Sequence, residues 1–410
     1  MPRADSWLIK GALVYDGNGT AGRKVDVRLR EGKISKISAH LQPVKDEQVR
    51  AAEGLILVPG FIDPHSHHAD SLGKIPAPAS VLAQGITTVV AGVDGKANMP
   101  VSELFEQLEQ SPVAVNVAAF GAHNFYRRVV MADDFRREAS TVELGRMRRM
   151  LIADMDAGAL GLSTGLEYDP GIYASTDEII ELANVASARG GRYSSHLRSE
   201  DVAHDAAVTE FLEIAERANI PAHMSHVKLA MSARWGDASG VLARLNQARS
   251  RGLNVTADVY PYNAWQAPLD VLLPERNFDS PAAYQGVLAT IAHPQSIRIA
   301  EYAPEPALVG KTLQEIAQAR GVEPDAALMD LMQTAIARRT LPWGIVSNIS
   351  EEDIRTFMAW PYASICSDGK VDDRHPRGQG AFPRVLARYV REQGVLSLQE
   401  ALRRMTSLSA

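Results

Sequence analysis

From Gly60 onwards, short apolar segments alternate with segments of helical period, and this alternation is the feature that most constrains the fold. Eight segments are typical of strands: GFIDPH, ITTVVAGVD, VAVNVAAFGAH, ALGLSTG, GRYSSHL, IPAHMSHV, LNVTADVY and YASICSDG. Helical runs such as TVELGRMRRMLIADMDAG and STDEIIELANVASARGG lie between the earlier strands and end near glycine, as helix C-termini do. The pattern therefore predicts an α/β fold built as a (β/α)8 TIM-type barrel.

Two regions fall outside this repeat. Residues 7–58 read as short strands broken by glycine, which predicts a small β-sandwich-like unit over 1–58 before a barrel over 59–410. The stretch of about 262–360, between the seventh and eighth strands, is far longer than a βα connection. Its helical patterns predict an ordered insertion over the barrel mouth. The alternative is a separate small domain without a catalytic part.

Charge and cysteine content restrict the compartment and the partners. The net charge is −6 and the basic residues are scattered, so nothing favours nucleic acid. The single cysteine, Cys366, excludes an internal disulfide framework and fits a reducing compartment. The N-terminus resembles no targeting signal, and no apolar stretch has the length of a bilayer span. We therefore expect a cytoplasmic protein with no nucleic-acid or membrane partner.

Polar side chains cluster at the predicted strand ends, which is where barrels carry their active residues. His65 and His67 stand two apart at the end of the first strand, so on a strand they would point the same way. The later strand ends supply Asp94, His123, His196, His226 and Asp368. Imidazole and carboxylate groups at this density suit zinc or a similar divalent metal. The sequence therefore predicts a metal site at the mouth of the barrel.

Several longer motifs carry a family resemblance. They are VPGFIDPHSH, QGITTVVAG, AGALGLSTGLEYDPG, GGRYSSHLRSE, PAHMSHVK, ADVYPY, SICSDG and HPRGQGAFPRVLARYVRE. With them the chain resembles the amidohydrolase superfamily and, within it, the N-acyl-D-amino-acid deacylases, or D-aminoacylases. The resemblance runs from about Leu55 to the C-terminus. GLSTGLEY, SHVK and the final SDG with HPR are its most specific parts.

The resemblance implies a metal centre with six ligands, namely His65, His67, Asp94, His196, His226 and Asp368. His65 and His67 would share one position with Asp368, and the other two histidines would hold the second. Asp94 departs from the family, because the chain has GVDG where the deacylases have a cysteine in GNCG. A carboxylate can bridge two divalent ions but is harder than thiolate. We therefore expect one or two Zn²⁺ ions, with another divalent metal such as Mn²⁺ as the alternative.

The resemblance also implies a reaction and a substrate. Metal-activated water would cleave the amide of an N-acyl-D-amino acid, with Asp368 as general acid and base. Arg377 would bind the α-carboxylate of this small-molecule substrate through a bidentate fork. Lys228 and Tyr168 would add polar contacts, and His123 would line the pocket. The preference for D-amino acids rests on the resemblance alone.

Two other functions stay open from the sequence. The same scaffold serves cyclic amides, as in dihydroorotase or hydantoinase, and a catalytically silent barrel could act as a binding protein. The complete ligand set argues against the silent barrel. Family members also continue past a helix like MTSLSA into strands that complete the N-terminal β-unit, whereas this sequence stops at Ala410. We therefore expect an exposed sheet edge that lowers stability or is covered in a homo-oligomer.

Overall fold

The computed structural model describes residues 6–410, which form two compact units. The first contains the described residues up to Ile62 together with Val385–Ala410, and the second is Asp63–Arg384. The C-terminal segment therefore belongs to the same unit as the N-terminal strands. Within the described residues, none of the helices combines the length and apolar composition needed to cross a membrane.

The first unit is built on a five-stranded sheet. Its strands are Ser6–Val14, Arg23–Arg30, Lys33–Ser38, Gln48–Ala51 and Ile56–Leu57. Ser6–Val14 is central: it runs antiparallel to Arg23–Arg30 and parallel to both Gln48–Ala51 and Ile56–Leu57. The π-helix Val385–Glu392 and the α-helix Leu398–Met405 complete the unit. The hydroxyl of Ser407 donates to the carbonyl of Gly17 at 2.7 Å and ties the last turn to the sheet's first loop.

Eight strands form the barrel, and all but the first two residues of the first strand lie in the second unit. They are Phe61–Asp63, Ile86–Ala91, Asn116–Ala119 continued by Gly121–Ala122, Gly161–Gly165, Arg192–His196, Ala222–Met224, Val255–Val259 and Ala363–Ile365. Neighbouring strands from the second to the eighth pair in parallel. The ring closes just past the strand ends, where the Asp368 amide donates to the His65 carbonyl at 2.9 Å and the His67 amide donates to the Gly369 carbonyl at 2.8 Å. The predicted barrel is confirmed.

Amphipathic helices cover the outside of the barrel. The helices of this unit outside the insertion are Ala79–Leu82, Val101–Gln110, His123–Met131, Thr141–Asp156, Thr176–Ser187, His204–Arg217, Ala238–Ser250, Glu351–Ala359 and Arg377–Arg384. Thr176–Ser187 shows why they form: Ile179, Leu182 and Ala186 recur at helical spacing and are buried. Ser175 caps its start by accepting from the Glu178 amide.

The insertion between the seventh and eighth strands carries its own antiparallel sheet. Trp343–Val346 is the central strand, with Trp265–Pro268 on one side and Ile297–Glu301 on the other. The helices Pro281–Thr290, Leu313–Arg320 and Pro324–Ala337 accompany this sheet. Side chains of the insertion line the cleft at the barrel mouth, among them Trp265 and Trp343. The long connection is therefore ordered and contributes one wall of the cleft.

Candidate metal centre and cleft

Asp94 lies at the middle of a cluster of imidazoles at the mouth of the barrel. Its Oδ1 is 3.3 Å from His65 Nε2 and 3.5 Å from His226 Nε2, and its Oδ2 is 3.3 Å from His67 Nε2. Two ligand atoms that share one ion at about 2.1 Å lie roughly 3 to 3.5 Å apart. One carboxylate is therefore spaced for coordination together with histidines on both sides.

The remaining predicted ligands complete two groups around Asp94. Asp368 Oδ1 lies 3.8 Å from His65 Nε2 and 3.6 Å from His67 Nε2. On the other side, His196 Nδ1 lies 3.0 Å from His226 Nε2. Donor atoms of His65, Asp94, His226 and Asp368 all lie within 4.8 Å of one another. The structure thus brings all six predicted ligands to one place.

The hydrogen bonding of these atoms fits a cation. Among the described residues, His65 Nδ1, His65 Nε2 and Asp94 Oδ1 are buried and have no hydrogen-bond partner. Unpartnered buried polar atoms cost about 1–3 kcal/mol each, so native structures rarely keep them without a function. A divalent cation bound by His65 Nε2 and Asp94 Oδ1 would satisfy those two atoms. The donor set, nitrogen and carboxylate oxygen only, suits zinc and also harder metals such as Mn²⁺.

The backbone is constrained where it presents these ligands. Asp94, His226 and Asp368 have φ of 53°, 35° and 49°, in the left-handed region that residues other than glycine rarely adopt. Gly92 and Gly95 flank Asp94, and a Cβ at either position would lie 2.3 or 2.4 Å from the nearest atom of Phe120 or Asn124. Such strain is maintained at functional sites. The close approach of Phe120 and Asn124, together with positive φ at Gly92 and Gly95, favours glycine on both sides of Asp94.

Carboxylates hold the far nitrogens of the two histidines on the second side. Glu167 Oε2 is 2.8 Å from His196 Nε2, and Glu200 Oε1 is 3.0 Å from His226 Nδ1. Lys228 Nζ donates to Glu200 Oε1 at 2.7 Å and lies 2.8 Å from His226 Nδ1. Histidines that bind metals usually direct their other nitrogen to such a group, which fixes the tautomer and the ring orientation. The other ring nitrogens, His196 Nδ1 and His226 Nε2, therefore point at the centre.

Two further buried acids, Asp63 and Asp258, hold the backbone next to the ligands. Asp63 accepts from the Ser367 amide at 3.0 Å and from the Ser367 hydroxyl at 2.5 Å, which anchors the segment before Asp368. Asp258 accepts from the His226 amide at 2.5 Å and from His223 Nε2 at 2.8 Å. Burial opposes ionisation of Asp258, but the nearby imidazoles, His65 first, outweigh it and lower its pKa to about 2. Asp258 is therefore an ionised anchor for the strand-six loop.

The centre opens into a cleft of about 550 Å³. Arg377, only 3 % exposed, donates from Nη1 to Asp368 Oδ2 at 2.5 Å and from Nη2 to the Gln266 carbonyl at 3.1 Å. Its Nε has no partner among the described residues, and neither does the buried hydroxyl of Tyr260. The Arg377 guanidinium lies 5.1 Å from the centre of the Tyr260 ring. The Arg377 Nε–H and the Tyr260 hydroxyl are therefore two hydrogen-bond donors without partners near Asp368.

Tyr168 lines the cleft beside the second side of the centre. Its ring centroid is 4.4 Å from that of His196, and Lys96 Nζ lies 3.8 Å from the ring centroid. Burial, followed by Asp94 and other carboxylates, raises the pKa of Tyr168 well above its usual value, so its hydroxyl keeps its proton. The Tyr168 hydroxyl is thus available to donate a hydrogen bond at the cleft, and its contact with a substrate stays a prediction.

The structure places His123 away from the cleft. It is fully buried at the start of its helix, with Nε2 2.8 Å from Glu178 Oε1 and Nδ1 3.3 Å from Asn124 Oδ1. Arg127 donates to the other oxygen of Glu178 at 2.5 Å. Its neighbours Asn124 and Phe125 line the cleft instead. His123 therefore belongs to a buried ion-pair network and is not brought to the metal centre.

His65 and His67 lie side by side, but not because they alternate along a strand, as predicted from the sequence. The first barrel strand ends at Asp63, so strand alternation cannot orient the two histidines. They lie on the irregular segment that follows, and their ring centroids are 5.9 Å apart at an interplanar angle of 84°. Lys228 likewise lies beyond its strand, which ends at Met224. Backbone bonds to the segment after the eighth strand hold the HxH pair in place.

Comparison with known proteins gives the family. No protein-family model matches the chain. It is 34% identical to N-acyl-D-glutamate deacylase of Alcaligenes xylosoxydans xylosoxydans, over 98% of this chain and 82% of that protein. The chain belongs to the N-acyl-D-amino-acid deacylase (D-aminoacylase) family of amidohydrolases. The resemblance seen in the sequence is therefore confirmed.

Solved structures of this family superpose closely on the chain. One is N-acyl-D-glutamate deacylase from Bordetella bronchiseptica complexed with zinc and a phosphonate inhibitor that mimics the tetrahedral intermediate. It has a TM-score of 0.86 and 31% identity, over 98% of this chain and 84% of that one. Another is D-aminoacylase, described for its binuclear metal centre, with a TM-score of 0.86 and 29% identity over 98% and 85% of the two chains. The barrel fold is shared over nearly the whole chain.

Proposed function

We propose that this deacylase-family enzyme hydrolyses the amide bond of N-acyl-D-amino acids to a carboxylate and a free D-amino acid. The observation that carries the proposal is a cluster of buried metal-ligand atoms around Asp94, of which His65 Nε2 and Asp94 Oδ1 have no hydrogen-bond partner. Arg377, whose Nε also has no partner, lies beside this cluster. The metal would be held by the six residues His65, His67, Asp94, His196, His226 and Asp368. One or two Zn²⁺ ions suit these ligands, and Mn²⁺ is the alternative because Asp94 supplies oxygen and not sulfur.

In the proposed reaction the metal would activate water and the substrate carbonyl, and Asp368 would transfer the proton. When bound, a divalent cation lowers the pKa of a coordinated water to about 7 and polarises the scissile carbonyl. Burial opposes ionisation of Asp368, but Arg377 and the neighbouring histidines outweigh it and hold its pKa well below the usual range. Asp368 is therefore ionised and can accept the proton of the attacking water. It would then return that proton to the leaving amine.

The substrate would be oriented by its α-carboxylate. Arg377 offers Nε and Tyr260 offers its hydroxyl, both without partners in the described structure. Lys228 Nζ lies 5.8 Å from the Tyr260 ring centroid and is paired with Glu200 Oε2 at 2.6 Å, so it would add a polar contact and little net charge. Arg377 keeps its two terminal nitrogens on Asp368 and Gln266, so it would meet the carboxylate through Nε and not through the bidentate fork. Tyr168 would donate to the substrate from the opposite side of the centre.

The test is a substrate panel on protein stripped of metal with a chelator and then reloaded with zinc or manganese. N-Acetyl-D-amino acids should be hydrolysed only by the reloaded protein, and N-acetyl-L-amino acids poorly. His65→Ala should lose this activity, whereas His293→Ala, at an exposed histidine of the insertion, should keep it. Hydrolysis of dihydroorotate or a hydantoin, with none of any N-acyl-amino acid, would contradict the proposal.

A further inference from the structure

The cations that line the cleft differ in whether a carboxylate neutralises them. Arg377, Lys228 and Lys370 have carboxylate oxygens at 2.5, 2.6 and 3.5 Å. Lys96 and Arg128 also line the cleft, and neither forms an ion pair within residues 6–410. Their charges are therefore available to an anion that enters the cleft.

Lys96 and Arg128 flank the same short segment after the fourth barrel strand. Lys96 Nζ lies 3.8 Å from the centroid of the Tyr168 ring. Arg128 Nη2 donates to the carbonyl of Asp169 at 3.4 Å. A ring face and a main-chain carbonyl position these side chains but leave their charge uncompensated. We call Lys96, Arg128 and the Tyr168–Asp169 segment the cationic corner.

Two acids close to this corner, Asp169 and Asp270, are paired with another cation. The carboxylate of Asp169 is engaged by Arg276, whose Nε lies 3.1 Å from Asp169 Oδ1. Asp270 also lines the cleft, and burial raises its pKa, which favours the neutral form. Arg276 lies 3.7 Å from Asp270 Oδ2 as well. Asp169 and Asp270 thus share Arg276, and within residues 6–410 neither of them forms an ion pair with Lys96 or Arg128.

We propose that the cationic corner binds a second carboxylate of the substrate. The inference rests on the proposed function, in which Arg377 and Tyr260 take the α-carboxylate next to Asp368. A substrate with a single carboxylate would leave both cations of the corner without an anion. The second carboxylate belongs either to the side chain of the D-amino acid or to the acyl group, and a lysine ammonium can pair with either because it is a point charge on a flexible stem.

Matched substrate pairs test the proposal and identify which part of the substrate carries the charge. N-Acetyl-D-glutamate is compared with N-acetyl-D-glutamine, N-acetyl-D-aspartate with N-acetyl-D-asparagine, and N-succinyl-D-leucine with N-acetyl-D-leucine. We expect at least about a tenfold higher kcat/KM for the charged member of a pair, the value of one charge-assisted contact. A preference in the first two pairs places the carboxylate on the side chain, and a preference in the third places it on the acyl group.

Substitutions test whether Lys96 itself, and not positive charge anywhere in the cleft, causes the preference for the charged substrate. Lys96→Met keeps most of the length and removes the charge, so the ratio of kcat/KM between the charged and the neutral member of a pair should fall to about threefold or less. Lys370→Met is the matched control, because Lys370 lines the cleft but is paired with Asp372. The preference should survive in the control. No preference in any pair, or one that both Lys96→Met and Arg128→Gln leave intact, would overturn the proposal.

A binding experiment distinguishes failure of this inference from failure of the proposed function. If the metal-loaded protein hydrolyses no N-acyl-amino acid, the proposed function fails, and calorimetry then tests the corner without turnover. D-Glutamate should bind at least about tenfold more tightly than D-glutamine, or N-succinyl-D-leucine more tightly than N-acetyl-D-leucine, with the difference lost in Lys96→Met. Equal affinities within both pairs would overturn the corner as a carboxylate site.

Discussion

Oε2 of Glu167 lies 2.8 Å from Nε2 of His196, and both side chains are buried. The other ring nitrogen, Nδ1, faces His226 Nε2 at 3.0 Å. With Nε2 turned to Glu167, the ring presents Nδ1 to the centre, and a proton on Nε2 leaves the lone pair of Nδ1 for a metal. Glu200 does the same for His226 through Nδ1 at 3.0 Å. The two histidines of the second side are therefore oriented by acids outside the ligand set.

Replacing the carboxyl group of Glu167 by an amide should weaken metal binding and leave the fold intact. We expect Glu167→Gln to lower zinc affinity about 10- to 100-fold, the usual effect of losing the carboxylate behind a metal-binding histidine. Competition with a chromophoric chelator measures the affinity. Glu103→Gln, at an acid near the start of an outer helix, is the control. Unchanged affinity in Glu167→Gln would show that His196 does not depend on this contact.

Asp368→Asn should abolish turnover but keep metal bound. The amide retains the shape and one oxygen, and the other ligands around Asp94 remain, but an amide cannot shuttle a proton. We expect kcat to fall by at least about 100-fold, the lower limit for a lost general acid or base. Asp372→Asn, at an exposed carboxylate four residues on, should be nearly silent. Full activity in Asp368→Asn would remove this residue from the mechanism.

Tyr260→Phe should weaken substrate binding without lowering the stability of the fold. The hydroxyl is buried and has no partner in the described structure, so its removal breaks no native hydrogen bond. The free energy of unfolding should stay the same or rise by about 1 kcal/mol, because an unsatisfied polar group is lost. KM should rise about 10- to 100-fold, as expected when a hydrogen bond to a charged group is removed. A marked loss of stability with unchanged KM would mean that the hydroxyl serves the fold.

The N-terminal unit should lose stability in acid through Glu47. Arg28, whose Nε lies 2.6 Å from Glu47 Oε1, is the main cause that lowers the pKa of Glu47 from 4.5 to about 2. The carboxylate binds its proton more weakly in the folded state, so its contribution is complete above pH 4.5 and is lost as the pH falls from 4.5 towards 2. Urea unfolding of the wild type and Glu47→Gln should differ at pH 7 and converge near pH 2. A difference that stays constant with pH would contradict this assignment.

Much of the architecture could be predicted because the spacing of apolar residues along the chain determines the helices and strands. Buried positions recur at helical spacing in Thr176–Ser187, and the eight apolar strand segments each contain a barrel strand. The strand ends were less predictable. The segment GFIDPH contains a strand of only three residues, Phe61–Asp63, so His65 and His67 are set by contacts with the segment around Gly369, far along the chain. Local patterns carry no information about such contacts.

The supporting residues could not be predicted from the sequence. Glu167 adjoins Tyr168, and Glu200 lies four positions after His196, so each stood near a predicted site residue. Acids are common on the loops of a barrel, however, and only the fold reveals that these two are buried against imidazoles. Tyr260 gave a weaker signal still, as an aromatic residue at a strand end. His123 shows the converse: its position at a strand end predicted a site residue, and Glu178 draws it into the core.

Metal content tests the central claim most directly. After dialysis against zinc or manganese and removal of free metal, mass spectrometry of the wild type should find one or two ions per chain, as expected for two ligand groups that share Asp94. Asp94→Ala should retain fewer ions than wild type, because both groups lose a ligand, and Asp372→Asn should match wild type. A wild-type protein that binds neither metal would contradict the account.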